Sequence, residues 1–417
     1  MVGSPVASTH ALHAAIAPAA ALVDERRALY RLAVDLFAPG AELSDNLADH
    51  PIVRYEIGRV LAGQGHLDLE RLAEAAAVRV CDVGVAVVSD PAAARLVEAP
   101  LRIVAPPGVS PEPLTEADGA RFGNALGMVS EGVRLFREIA PEMADDLLAH
   151  VSMLAVLKRE TSGGVVSASS RYVPGIVLID EPSTPLEVAE ALVHEGAHEK
   201  FFDLAIVKEF VDARAEDADC FENSWSHARW PLEQTFAAWH AYTCLAQFST
   251  SAGTEPPGPF SLLPVARARA TEIGDWLLEH EEVLLSDARQ LLHGLFGSPA
   301  GDVIRRSEVD CATLCDETLD DGHFRLHPDV RIRRASTGRA VVGRATQPPG
   351  IFWLDPDASW VVGQLNDKTP RSVELLLPQA CEEWQTISDL ALRRLRTTIG
   401  SLASWSLIEP AHTSEKE

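Results

Sequence analysis

Cysteine is scarce in this chain, with six residues in 417. A secreted protein of this size that relied on disulfide bonds would need more of them, so reduced thiols in a cytoplasm are the simpler interpretation. Cys311 and Cys315 lie four positions apart. That spacing alone is weak evidence for a metal site, and ordinary small residues explain it as well.

Positive charge and long apolar runs are also in short supply. The chain has 36 Lys and Arg against 61 Asp and Glu, a formal net charge of −25, which disfavours non-specific binding to nucleic acid or to an anionic membrane. No apolar run reaches transmembrane length, and the first residues lack the basic start of a secretory signal. We therefore expect a cytoplasmic protein with neither a nucleic-acid nor a membrane partner. No glycine-rich phosphate loop or internal repeat is evident.

The composition and periodicity predict a mainly α-helical protein with small β elements. Hydrophobic residues make up 47% of the chain and aromatics only 6%, which is typical of an aliphatic-rich globular fold. Residues 1–160 read as a helical N-terminal region, with helical spacing at 24–37 and across 122–158. Short β-prone runs occur at 83–88 and 101–104. We interpret this region as scaffold.

A strong helix signal begins at Thr184, in the predicted catalytic region 161–310. Thr184 is a favourable N-cap residue, Pro185 suits the first helical position, and Glu187 stands where a capping box needs it. The strand predicted just before it, at 175–180, has two interpretations that the sequence leaves open. It either accepts an extended peptide as a neighbouring strand or lies inside the core.

This helix carries an H-E-x-x-H motif, with His194, Glu195 and His198. Histidines four positions apart project from the same helix face, one turn apart, so two imidazoles can hold one metal ion. Glu195 is then a metal ligand, a general base or a hydrogen-bond partner of a ligand, and the motif alone does not distinguish these three roles. Histidines that merely pack or face solvent are the alternative without a metal.

A third ligand has to come from another part of the chain. His240 lies in the middle of a second predicted helix that starts near Pro231, among apolar residues. The competing ligands share a carboxylate or imidazole group and lie downstream of the motif: Glu216, Glu222, Glu233 and His227.

The segment downstream of the motif carries a family resemblance. It contains Ser224-Trp225-Ser226, Arg229-Trp230-Pro231 and His240-Ala241, and with PGIVLID and LVHEGAH it resembles the HExxH-type peptide-modifying proteins found with ribosomally made peptide natural products. Members of that family more often show S-P-W, R-P and His-Gly at these places. The resemblance covers about residues 165–250.

The resemblance implies an iron(II)- and 2-oxoglutarate-dependent oxygenase that hydroxylates the β-carbon of a side chain in a ribosomally made precursor peptide. It implies His194, His198 and His240 as iron ligands, Arg229 as the residue that binds 2-oxoglutarate, and O2 as co-substrate. The second hypothesis is a zinc metallopeptidase with Glu195 as general base. The third is a non-catalytic peptide-binding protein with a structural metal.

The C-terminal residues 322–417 differ from the rest of the chain in their sequence pattern. They follow an acidic, turn-prone linker predicted at 311–321. Short β-type runs are followed by predicted helices, a pattern that resembles the winged-helix modules that recognise precursor peptides. A cluster of arginines in this module is compatible with an anionic binding partner. The alternatives are an α+β cap and a dimerisation domain, and a dimerisation domain would make the chain a homodimer.

Overall fold

The computed structural model describes residues 17–76, 80–105, 107–208, 210–211, 220–251, 258–296, 322–345, 350–365 and 369–411. The described residues are mainly helical, with 58% helix and 15% strand in small sheets, which confirms the predicted fold class. No helix among these residues has the length and apolar character needed to cross a membrane. The predicted linker at 311–321, with Cys311 and Cys315, lies outside the described residues.

Helices make up most of the regular structure in the described residues. They are α1 (Ala19–Phe37), α2 (Asp45–Asp49), α3 (Pro51–Leu61), α4 (Leu69–Ala76), α5 (Pro91–Val104), α6 (Ala120–Ile139), α7 (Pro141–Leu148), α8 (Pro185–Val207), α9 (Leu232–Ser251), α10 (Leu263–Glu279), α11 (Ser286–Phe296), α12 (Pro356–Leu365), α13 (Val373–Glu383) and α14 (Ser388–Ser404). Two short 3-10 helices occupy Glu116–Asp118 and Glu281–Val283.

The strands are short. They are β1 (Val80–Asp82), β2 (Ala86–Val88), β3 (Met153–Leu157), β4 (Ser167–Ala168), β5 (Ile176–Asp180), β6 (Phe221–Glu222), β7 (Arg229–Trp230), β8 (His323–Leu326), β9 (Val330–Arg334), β10 (Ala340–Arg344), β11 (Gly350–Leu354), β12 (Arg371–Ser372) and β13 (Ile408–Ala411).

The chain divides into two compact units. The first takes its described residues from Met1–Arg26, Ser44–Gly58 and Asp68–Asp302, and the second takes them from Arg27–Leu43, Arg59–Leu67 and Val303–Glu417. The predicted regions 1–160 and 161–310 thus fall mostly in the first unit. The predicted module 322–417 falls in the second, together with two segments from the N-terminal part of the chain.

A five-stranded sheet in the first unit has the order β1-β2-β3-β5-β4. Strands β3 and β5 run parallel, with Leu154 opposite Val177, whereas β4 pairs antiparallel with β5. All of β3 and nearly all of β5 is buried, as expected for parallel strands covered on both faces. The strand predicted at 175–180 is therefore an internal strand, and β4 forms one edge of the sheet.

Helix α8 lies at the centre of the first unit, against α6, α7, α9 and β5. Buried side chains occur on all faces of this helix, so it has no solvent-facing polar stripe. A helix that is covered all round in this way belongs to the core. Its position places the H-E-x-x-H motif at the centre of the first unit.

The second unit combines two three-stranded antiparallel sheets, β11-β10-β9 and β12-β8-β13, with α12, α13 and α14. A core that includes Val342, Leu376 and Leu395 joins these elements. A second, smaller cluster packs Leu32 and Leu36 of α1 against Val341. The mixture of sheets and helices agrees with the α+β character predicted for this part of the chain, and the winged-helix assignment remains a prediction.

Two local expectations were wrong. Residues 101–104 do not form a strand but are the last turn of helix α5, which starts after Asp90, whose side chain accepts hydrogen bonds from the amides of Ala92 and Ala93. The predicted helical stretch 122–158 ends in strand β3. A fully buried strand reads as a continuous apolar run, which periodicity does not separate from a buried helix.

Asp203, on α8, is the centre of a buried ionic cluster. The carboxylate accepts hydrogen bonds from Arg26 and from Arg54 (3.2 Å for Nη2), and His150 Nδ1 lies 2.5 Å from Oδ2. All four side chains are at most 1% exposed. Burial alone would raise the pKa of Asp203, but the two guanidinium groups outweigh it and hold that pKa below its ordinary value.

Replacing Asp203 with Asn should lower the free energy of unfolding at pH 7 by about 3–5 kcal/mol, because it removes the carboxylate that two buried arginines share, although Arg26 keeps its ion pair with Asp49. The difference from wild type should shrink as the pH falls below about 3.9, the pKa of an unfolded aspartate, since a depressed pKa stabilises the fold only above that range. Urea denaturation followed by tryptophan fluorescence at several pH values measures both effects.

The control is Glu98→Gln, which removes an exposed i,i+4 pair with Arg102 on α5. Its cost should be about 0.5 kcal/mol or less. Equal small costs for the two substitutions would contradict a stabilising role for the buried cluster.

Candidate metal centre

The start of α8 follows the predicted capping. Thr184 Oγ1 accepts a hydrogen bond from the amide of Glu187 (3.3 Å), and Pro185 occupies the first turn. The Glu187 carboxylate bonds to the amide of Ser183 (2.7 Å) instead of that of Thr184. The helix start is thus fixed locally, ten residues before the motif.

His194 and His198 face each other across one turn of α8. Their ring centroids are 4.9 Å apart, with the ring planes nearly perpendicular. Both line a cavity of about 690 Å³, formed by the segment after β4, by α8 and by the first turns of α9. The predicted pairing of these two imidazoles is therefore present in the fold.

Both imidazoles are in the protonation state of a metal ligand. Burial lowers the pKa of His194 and of His198 to about 4, so both rings are neutral at pH 7 and keep a lone pair for a metal. The Nδ1 atom of His194 is buried without a hydrogen-bond partner among the described residues. An orphaned donor or acceptor at this place fits a site that is completed by a bound species.

Glu195 is held by two serines from the edge of the sheet. Ser167 Oγ donates to Oε1 over 2.7 Å, and Ser169 Oγ donates to Oε2 over 2.6 Å. The side chain lines the cavity although the residue is only 3% exposed. Glu195 therefore ties α8 to β4 and to the segment that follows it.

His240 lies on α9, as predicted, but does not line the cavity. Its Nδ1 is 3.0 Å from the carbonyl oxygen of Ala197, and its ring packs near Phe201. A carbonyl only accepts, so Nδ1 carries the hydrogen and the lone pair belongs to Nε2. This is the tautomer of metal-binding histidines whose second nitrogen contacts a backbone carbonyl.

The other predicted residues occupy different places. Arg229 is exposed on β7 and does not line the cavity, whereas the adjacent Trp230 and Pro231 do. Glu233 lines the cavity and pairs with Arg171 over 2.5 Å. Glu222 and His227 form an exposed pair 3.6 Å apart, and Glu216 lies outside the described residues.

A complete ligand set is not assembled within the described part of the chain. No group of three or more His, Cys, Asp and Glu side chains there is arranged to hold a metal ion. His194 and His198 fit a first-row metal as two of its ligands, and the third ligand stays a prediction.

An aromatic wall next to the histidines was not foreseen from the sequence. Tyr242 on α9 lines the cavity, with its ring centroid 5.6 Å from that of His194. Trp225 lies against Tyr242 and Trp230 at 6.0 and 5.6 Å. Arg269 on α10 stacks over Trp225 at 4.5 Å and donates to the Tyr242 hydroxyl over 2.7 Å. The segment that carries the family resemblance thus lines the cavity through Trp230, and its Trp225 packs against Trp230 and Tyr242.

No protein-family model matches this chain, and no curated protein matches it.

Replacing His194 or His198 with Ala should lower the affinity for one first-row divalent metal ion per chain by at least about 100-fold, more than the loss of an outer partner causes. Each substitution removes one of the paired imidazoles at the cavity. Titration with Co(II) and elemental analysis of the purified protein measure the loss. His293→Ala is the control, because that ring lies on α11 and pairs with Glu281. Full metal content in either motif variant would exclude the pair as ligands.

Proposed function

We propose that this protein is an iron(II)- and 2-oxoglutarate-dependent oxygenase that hydroxylates the β-carbon of a side chain in a ribosomally made precursor peptide in the cytoplasm. The observation that carries the proposal is the pair of neutral imidazoles, His194 and His198, facing each other at the wall of a large open cavity. When bound, iron(II) with 2-oxoglutarate and dioxygen supplies the oxidising power for an unactivated C–H bond.

The donor set supports a first-row transition metal. Imidazoles suit iron as well as zinc, and iron oxygenases keep positions of the metal open for the co-substrates. His194 and His198 would hold the ion. His240 is the candidate third ligand, and the hydrogen on its Nδ1 supports binding through Nε2.

The position of β4 supports an extended peptide as substrate. β4 is one edge of its sheet, and its last residue, Ala168, lines the cavity together with the residues that follow it up to Tyr172. An edge strand offers backbone groups to a peptide that adds as a further strand. Ser167 and Ser169 turn their side chains to Glu195, so the edge is fixed relative to the histidines.

The contacts of Glu195 support the oxygenase over the zinc metallopeptidase. A peptidase of the H-E-x-x-H type needs the glutamate to take a proton from metal-bound water. Here both carboxylate oxygens already accept serine hydroxyls, an arrangement that suits a positioning role. The peptidase remains the second candidate because Glu195 lines the same cavity as the two histidines.

Full-length protein supplied anaerobically with iron(II), then with 2-oxoglutarate, dioxygen and a cognate precursor peptide, should form succinate and a peptide with one added oxygen atom in equal amounts. Mass spectrometry of the peptide and quantification of succinate measure the two products. Reactions without 2-oxoglutarate are the control, and His194→Ala and His198→Ala should give neither product.

The peptidase makes the opposite prediction for the same materials. Cleavage of the peptide with zinc alone, without 2-oxoglutarate or dioxygen, and its loss in Glu195→Gln would contradict the oxygenase. A metal-loaded protein that binds the peptide but turns over under neither condition would favour the non-catalytic binding protein.

A further inference from the structure

Arg269 is a cation beside the candidate metal centre. Its guanidinium contacts the Tyr242 hydroxyl and the rings of Trp225 and Tyr242, and none of its contacts in the described part of the chain is with a carboxylate. Arg171, a cation that lines the cavity directly, is instead neutralised by Glu233. In a chain with a net charge of −25, a half-buried guanidinium that has no acidic partner among the described residues is available to an anionic ligand.

The hydrogen bond between Arg269 and Tyr242 also restricts the direction in which the tyrosine O–H bond points. A guanidinium only donates, so the Tyr242 oxygen is the acceptor in this 2.7 Å contact. The hydroxyl hydrogen must therefore point to another group. Since Tyr242 lines the cavity beside His194, the pair presents an O–H donor to a ligand there, with a positive charge behind it.

We propose that Tyr242 and Arg269 form the subsite for a carboxylate group, and that this subsite binds 2-oxoglutarate in place of Arg229. The inference rests on the proposed function for the identity of the ligand. Tyr242 donates its hydroxyl hydrogen to the carboxylate, and Arg269 holds the hydroxyl in that orientation and supplies the charge. Arg229, by contrast, is exposed on β7 outside the cavity lining.

The test measures binding of 2-oxoglutarate by calorimetry to full-length protein, both metal-free and loaded with Zn(II). Tyr242→Phe removes only the hydroxyl and should weaken binding about tenfold, the scale of one hydrogen bond to a charged group. Arg269→Gln should weaken it by about the same factor or more, and Arg269→Lys should restore part of the loss by restoring the charge. Metal affinity should not change in any of them.

Two arginine variants serve as controls. Arg267→Gln removes the same charge from the same helix at an exposed residue that bonds to Thr250, and Arg229→Gln tests the residue predicted from the family resemblance. Both should bind 2-oxoglutarate like wild type. Melting temperatures and circular dichroism show that each variant is folded.

The outcomes separate this inference from the proposed function. Wild-type affinity in Tyr242→Phe and Arg269→Gln, loss of affinity in Arg229→Gln alone, or no binding by the wild type in either metal state would each overturn the subsite. A protein that takes up no metal but loses 2-oxoglutarate binding in both subsite variants would support the subsite and contradict the oxygenase.

Discussion

The charges buried on α8 determine how that helix is rotated in the first unit. A buried charge costs several kcal/mol unless it is paired, so each one has to face its partner. Asp203 faces two arginines, and Lys200 donates to Asp146 over 2.6 Å. Because these two faces of the helix contact their ionic partners, the face with His194 and His198 is directed to the cavity. The candidate metal centre therefore depends on ion pairs that lie away from it.

Polar contacts of the same helix also fix the sheet beside it. Glu199 is fully buried and accepts a hydrogen bond from the amide of Gly175 over 2.6 Å, just before β5. Gly175 has a φ of +93°, and a Cβ atom there would lie 2.6 Å from Arg54 Nη1, so both its backbone angle and its surroundings require glycine. Glu195 makes the corresponding connection to Ser167 and Ser169. The cavity wall is therefore built by hydrogen bonds from one helix to consecutive parts of the sheet.

Local signals in the sequence predict the helices of the site but not the side chains that surround it. The N-cap at Thr184 and the proline at 231 mark the starts of α8 and α9, because capping depends on neighbouring residues. The strand β3 was missed because it is buried throughout and does not alternate. Tyr242 and Arg269 are 27 positions apart, and their contact follows from the packing of α9 on α10, which no local pattern records.

The second unit has a consequence for the order of events during synthesis. Leu32 and Leu36 of α1 belong to a small core that Ala335 and Val341 complete. The ribosome makes the first pair long before the second pair. The apolar face of α1 stays uncovered while the sequence of the first unit is made, so the second unit cannot close its core from the N-terminus onward, as domains that are continuous in sequence do.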